Sequence, residues 1–253
     1  MTGQPAPPPP TLRLRIDGDA LADNWRALDR LSGSARAGAA VKADCYGLGV
    51  ENCLPALLGA GARDFFVAHW AEVAPVARFV SADRISVLHG IVSDADVAYA
   101  RAIGAVPVIN SLTQSRMWNE AGGGPCHLMI DTGINRLGVS PDELSDPAIA
   151  DEDTPINDRQ LAVFRACMPM VQHRETSLAN SAGIGLGEEF GWNLTRPGLA
   201  LYGGVPRAEL AGHIRQVAFP QAAIIQTRAL KAGDRVGYNG EFTAPAPMRV
   251  GTV

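Results

Sequence analysis

The stretch Gly38-Ala39-Ala40-Val41-Lys42-Ala43-Asp44-Cys45-Tyr46-Gly47-Leu48-Gly49 decides the fold of this chain. Gly38 through Val41 are non-polar and read as a buried strand. Lys42 ends it, a glycine-rich turn follows, and a helical pattern begins near Glu51. Strand, turn and helix in that order make the first half of a βαβ unit. An amine at the C-terminal end of a buried parallel strand lies where α/β folds place their chemistry. There it can form a Schiff base or take a proton.

The same alternation extends in both directions. Residues 11–16 alternate apolar with charged side chains and read as a strand; Leu21, Trp25, Leu28 and Leu31 then share one helical face. Downstream strands are expected at 65–68, 85–89, 106–109 and 127–131, with helices at 51–58, 70–79, 94–103 and 112–121 between them. Pro107 weakens the strand that holds it by removing a ladder donor. Short strands separated by amphipathic helices argue a parallel sheet with right-handed crossovers. With further strands expected at 177–180 and 199–202, a (β/α) barrel is the leading architecture and a doubly wound open sheet the second. The rhythm breaks over 138–152, which is acidic and shows no convincing strand, and helix resumes at 157–170. From Phe219 the pattern turns to antiparallel β: 222–230, 235–242 and 248–253. The expected organisation is a disordered tail at 1–10, a barrel domain at 11–218 and the start of a C-terminal β domain at 219–253.

The bulk numbers suit a protein that handles small molecules. The 253 residues are 47% apolar and carry a formal charge of -4, which argues against a nucleic-acid surface. No apolar run approaches membrane-spanning length. The N-terminus lacks the basic and apolar regions of a signal peptide, so a cytoplasmic location is expected. Cys45, Cys53, Cys126 and Cys167 lie far apart and read as reduced thiols. The five histidines lack metal spacing, and no metal is expected.

Three clusters besides Lys42 carry chemistry. Asp131-Thr132-Gly133-Ile134-Asn135-Arg136-Leu137-Gly138 begins where a buried strand ends, and a planar guanidinium there suits a carboxylate or phenolate. Ser177-Leu178-Ala179-Asn180-Ser181-Ala182-Gly183 opens a turn whose backbone N–H groups can face a phosphate. Arg196-Pro197-Gly198-Leu199-Ala200-Leu201-Tyr202-Gly203-Gly204 puts an arginine ahead of an expected strand. Each has a plainer reading. Lys42 alone reads as a surface charge, Arg136 as an ion-pair partner of Asp131, Ser181 as a helix N-cap and Arg196 as a turn anchor.

Taken in order and spacing, these words resemble alanine racemase, and Val108-Ile109-Asn110-Ser111-Leu112 and Val236-Gly237-Tyr238 extend the match. The resemblance runs from about residue 11 onward. It implies a fold type III pyridoxal 5'-phosphate enzyme: a barrel followed by a C-terminal β domain, usually in a homodimer. It implies an isomerase that interconverts L- and D-alanine and supplies D-alanine for peptidoglycan. By the same resemblance Lys42 would carry the cofactor and act as base on the D side. Tyr46 and Ser181, with backbone N–H groups near Gly198 and Leu199, would hold the phosphate, with Tyr202 close by. Arg196 would face the pyridine nitrogen, and Arg136 would contact the substrate carboxylate.

Four departures from the family pattern stand out. The family's L-side base resembles a tyrosine in a Gly-Tyr-x-Asp-Gly-Tyr-Pro-Arg stretch of the partner's β domain, and this sequence reaches Gly251-Thr252-Val253 before such a stretch. A barrel strand ending in a Ser-His-like word is expected between Ser140 and Asp158, and residues 142–150 are too short and too acidic to supply it. Met129 stands where many relatives have lysine, and Leu48 follows Tyr-Gly where a histidine is usual. The expectation is a barrel missing one strand, with an open edge that favours aggregation. A catalytically impaired fragment or a non-catalytic cofactor-binding barrel is the alternative.

Overall fold

The computed structural model describes residues 7–144 and 156–253 and divides into two units, Met1–Ile16 with Ala218–Val253, and Asp17–Val217. The first strand, β1 (Leu12–Ile16), has the alternation that a strand needs. It does not start the barrel, as the sequence suggested. It pairs antiparallel with a strand at Ala218–Ala222, so Leu12 faces Ala222 and Ile16 faces Ala218. Alternation announces a strand without naming its partner, and here the partner lies about two hundred residues away.

In the larger unit Asp17 caps the helix Gly18–Leu31 by accepting from the Ala20 N–H at 2.9 Å. Leu21, Trp25 and Leu28 are buried along the expected face, against the helix Val50–Ala60. The sheet then builds strand by strand. β2 (Arg36–Ala37) and β3 (Ala39–Ala40) are followed by β4 (Phe65–Val67), β5 (Ile85–Val87), β6 (Val106–Ile109) and β7 (His127–Leu128). β3 to β7 form one parallel sheet in sequence order. β6 keeps its full expected length, because Pro107 sits one residue from its start, where a missing donor disturbs the ladder least. Helices Asp94–Ile103 and Leu112–Glu120 cross over between strands, capped by Ser93 and Ser111. On the other side of β2 lies β8 (Leu194–Thr195), also parallel, and a further parallel bridge joins Arg196 to Asn180.

The ring is therefore continuous from Asn180 through β8, β2 and β3 to β7, and one bridge carries it on from Ile130 to Val139. Gly138 makes that last step possible. Its φ is +126°, and a Cβ there would lie 2.6 Å from the Asp131 nitrogen. Among the described residues no ladder joins Val139 to Asn180. The acidic stretch 142–150, where a strand was expected to be missing, lies outside the described residues beyond Leu144.

Two expected strands take other forms. Residues 199–202 form a turn, with the Leu201 N–H donating to the Gly198 carbonyl at 2.9 Å and the Tyr202 N–H to the Leu199 carbonyl at 3.2 Å. Pro197-Gly198 stops the extended run, so Arg196 follows its strand and does not precede one. Residues 177–180 contribute only the bridge at Asn180, although the Thr176 carbonyl accepts from Asn193 and Leu194.

The smaller unit is antiparallel, as its pattern suggested. Ala218–Ala222 is β9; β10 (Gln226–Leu230) pairs with β13 (Met248–Thr252), and β11 (Arg235–Val236) with β12 (Phe242–Thr243). A turn at Tyr238–Gly240 interrupts the expected strand 235–242.

Candidate functional site

The site begins where the sheet stops. The ladder carries on to the Val41 N–H, which donates to the Phe66 carbonyl at 2.8 Å. Lys42 does not end the strand; it opens a turn, Lys42–Tyr46, in which Ala43, Asp44, Cys45 and Tyr46 all have φ between +51° and +57°. Four successive side-chain-bearing residues in the left-handed region are costly, at about 1–2 kcal/mol each. Contacts from several elements hold them. The Asp44 carboxylate accepts from the Val50 N–H at 2.7 Å, and a carboxylate oxygen of Glu72 accepts from the Ala43 N–H at 2.9 Å. The Cys45 side chain is buried against Cys53. That thiol–thiol hydrogen bond, then burial, raises the Cys45 pKa, and all four cysteines are free thiols.

On this turn the Lys42 Nζ lies 5.9 Å from the centre of the Tyr46 ring. Tyr46 stacks on Tyr202 with ring centroids 4.8 Å apart, and the Tyr202 hydroxyl donates to the Ala40 carbonyl at 3.0 Å. Burial raises the pKa of both phenols, that of Tyr202 further, so both stay protonated donors. Gly198 backs the Tyr46 hydroxyl; a Cβ at that position would sit 2.3 Å from it.

A second set of donors converges beside the tyrosines. The buried Ser181 hydroxyl accepts from the Gly198 N–H at 2.9 Å and the Ala200 N–H at 3.2 Å. The Leu199 N–H between them has no acceptor among the described residues. Asn180 caps the short turn that carries Ser181, accepting from the Gly183 N–H at 3.0 Å. Ser181 is thus an acceptor for two amides, and the N-cap is its neighbour, contrary to the plainer reading.

Arg196 extends from the end of β8. Its guanidinium donates to the Ser177 hydroxyl and to the Leu178 carbonyl, the latter at 3.2 Å. It faces no carboxylate among the described residues, and burial lowers its pKa to about 10, so it remains a cation at neutral pH. The ring of His127 has its pKa lowered first by burial and then by the Arg196 charge.

The Asp131 loop is organised differently from its plainer reading. The Asp131 carboxylate accepts the backbone N–H groups of Gly133, Ile134, Asn135 and Arg136 at 2.9–3.2 Å; it does not pair with the Arg136 guanidinium. Desolvation raises the pKa of Asp131, but those four N–H groups outweigh it and leave the value lowered. Arg136 is exposed, and its guanidinium makes no hydrogen bond or ion pair with the Lys42 turn among the described residues.

Lys42, Tyr46, Tyr202, Gly198, Leu199 and Ser181 are brought together, Arg196 adjoins them through the backbone, and Arg136 stands apart. Sequence reasoning missed Glu72, whose only signal was an acid just beyond a strand end.

An amine in the turn just beyond a strand, with a cradle of amide and hydroxyl groups beside it on a parallel β/α sheet, marks a small-molecule site of the kind α/β enzymes carry at their strand ends. The alanine racemase N-terminal domain matches residues 16–150 and 145–206. The biosynthetic alanine racemase of Agrobacterium fabrum is 42% identical over 270 residues, covering 94% of this chain and 67% of that protein. The alanine racemase of Rhizobium meliloti is 38% identical, covering 95% and 70%. The crystal structure of alanine racemase from Bartonella henselae with covalently bound pyridoxal phosphate superposes with a TM-score of 0.83 at 29% identity, covering 96% of this chain and 75% of that one. The biosynthetic enzyme of Pseudomonas aeruginosa gives 0.84 at 26%, covering 95% and 74%. The chain belongs to the alanine racemase family.

Proposed function

We propose that this chain racemises alanine with pyridoxal 5'-phosphate carried on Lys42. The observation that carries the reading is the cradle beside the lysine turn: two amides converge on Ser181, and the Leu199 N–H between them is free to meet an anion. The residues fit the cofactor. Gly198 leaves the space that a Cβ would fill, and the Tyr46 hydroxyl occupies it. A desolvated guanidinium without a carboxylate partner suits a ring nitrogen acceptor.

When bound, the cofactor supplies an electron sink for charge developing at the substrate α-carbon. The chain's own groups do the rest. Ser181, Tyr46 and the Leu199 N–H would hold the phosphate, and Arg196 would donate to the ring nitrogen. Lys42 would move the α-proton on one face, with its amine within hydrogen-bond reach of that carbon. Inversion needs a second acid–base group on the opposite face, a role the family resemblance gives to a tyrosine of the partner's β domain. The family resemblance would give the substrate carboxylate to Arg136, whose guanidinium lies exposed and apart from the Lys42 turn. A homodimer in the cytoplasm is the setting that the family resemblance supports; no helix among the described residues is long and apolar enough to cross a membrane.

The chain has two lysines, Lys42 and Lys231, which makes the test direct. Incubation with pyridoxal phosphate, borohydride reduction and peptide mass mapping should label Lys42. Lys42→Ala should lose both that label and the interconversion of alanine enantiomers followed by chiral chromatography. Label on Lys231 alone, or racemisation that survives Lys42→Ala, would overturn the reading.

A further inference from the structure

The left-handed turn after Lys42 needs an outside hold. Ala43 and Cys45 have no side-chain preference for positive φ, and no glycine precedes Gly47 in the turn. Asp44 ties the turn only to the helix that follows it. The longer tie is Glu72, in the short turn Trp70–Glu72 beyond β4. One carboxylate oxygen accepts the Ala43 N–H at 2.9 Å, and the other accepts the Ala68 N–H at 2.7 Å. The Glu72 side chain is only 16% exposed, and the His69 Nε2 lies 3.4 Å from one of its oxygens.

We propose that Glu72 is a positioning residue for Lys42. The Ala43 N–H belongs to the peptide plane that joins residues 42 and 43, so holding it fixes ψ of Lys42. With the Val41 N–H held by the Phe66 carbonyl on one side and the Ala43 N–H held by Glu72 on the other, the Lys42 Cα is fixed between them, and with it the direction of its side chain. The second oxygen anchors this plane to the end of β4, the neighbouring strand. The geometry requires a carboxylate. Glutamine would turn an NH2 donor toward one of the two amide donors. Aspartate, one methylene shorter, cannot span both. The proposal rests on the reading of Lys42 as the cofactor-bearing amine.

The test measures the rate of borohydride-trapped pyridoxyl labelling at Lys42 in cofactor-free protein, with thermal midpoints recorded alongside. Glu72→Gln should slow labelling about ten- to hundred-fold, the scale on which displacement of a reacting group acts. Ala43→Gly in the Glu72→Gln background should restore much of the rate, because glycine needs no outside bond to hold positive φ. Leu57→Ala, which hollows the buried face of the neighbouring helix, serves as the stability control: it should lower the midpoint and leave the rate alone. Labelling of Glu72→Gln at the parent rate, slowing no greater than that of Leu57→Ala, or no recovery with Ala43→Gly would each overturn the role. Should Glu72→Gln fail to fold, hydrogen exchange on the unaltered protein decides. Protection of the Ala43 amide is expected, and exchange at the rate of an unstructured peptide refutes the tie. A parent protein that takes no label at Lys42 would instead refute the functional reading, while the exchange result would still judge the tie.

Discussion

Ser181→Ala removes one oxygen and leaves two donors without an acceptor. Ser181 is 5% exposed, and its hydroxyl receives the Gly198 N–H at 2.9 Å and the Ala200 N–H at 3.2 Å. A buried donor left unsatisfied costs about 1–3 kcal/mol, and the longer bond belongs at the lower end. The sum is about 2–4 kcal/mol in cofactor-free protein, or roughly 5–15 °C in melting temperature for a unit of this size. Ser181→Ala also removes a donor to bound phosphate, and a hydrogen bond to a charged group contributes about 1.5–3 kcal/mol, so affinity should fall roughly ten- to 150-fold. Pyridoxal phosphate should therefore raise the midpoint of the variant less than that of the parent. Differential scanning fluorimetry with and without cofactor, together with equilibrium dialysis, measures both quantities. A cofactor-free variant that melts within about 1 °C of the parent would show that the two amides do not depend on this hydroxyl.

Gly198→Ala places a methyl group 2.3 Å from the Tyr46 hydroxyl and 3.3 Å from the Ala40 Cβ, so it should cost about 1–3 kcal/mol by overpacking and weaken cofactor retention, read by melting and dialysis. The Asp131 carboxyl has a lowered pKa, so its stabilisation of the loop is full above the ordinary aspartate value of 3.8 and is lost as pH falls through the lower folded value. Asp131→Ala should abolish that acid dependence and speed trypsin cleavage after the exposed Arg136; unchanged cleavage counts against the loop's reliance on this carboxylate. The Ser177 and Leu178 N–H groups have no acceptor among the described residues and should exchange faster with deuterium than the ladder amides Ala39 and Val41; equal protection would mean that the edge is covered.

Legibility in the sequence followed how local the cause was. The helix Asp94–Ile103 has its bounds written beside it, with Ser93 accepting the Asp96 N–H at one end and Gly104 at φ +81° at the other, and the expected range matches. β6 matches for a similar reason, an apolar run between turn residues. The run 199–202 is just as apolar but lies in a turn, because Pro197-Gly198 has already ended the extended backbone; a short apolar run cannot distinguish the two. The left-handed path from Ala43 to Tyr46 was illegible. It runs against the local preference of Ala43, Cys45 and Tyr46, and the side-chain bonds that hold it come from Glu72 and Asp44.

The candidate site divides along the same line. Lys42, Ser181 and Arg196 could be found because their side-chain chemistry is uncommon at strand ends and their words recur in a family. Glu72 could not, because its two oxygens hold main-chain N–H groups that any residue carries, and any acid at that distance in sequence looks the same. The asymmetry has a mechanical consequence. The Ser181 cradle hangs from backbone amides at residues 198–200, on the turn that follows β8, and β8 is in ladder contact with β2. The Ala40 N–H in turn donates to the Pro197 carbonyl at 2.8 Å, which ties the cradle to the strand that delivers Lys42. The Lys42 turn and the Ser181 cradle therefore share one hydrogen-bonded seam. The Arg196 guanidinium instead rests on Ser177 and Leu178, the segment with no ladder partner toward Val139. Damage at that edge should displace the Arg196 guanidinium before it loosens the Lys42 turn or the Ser181 cradle.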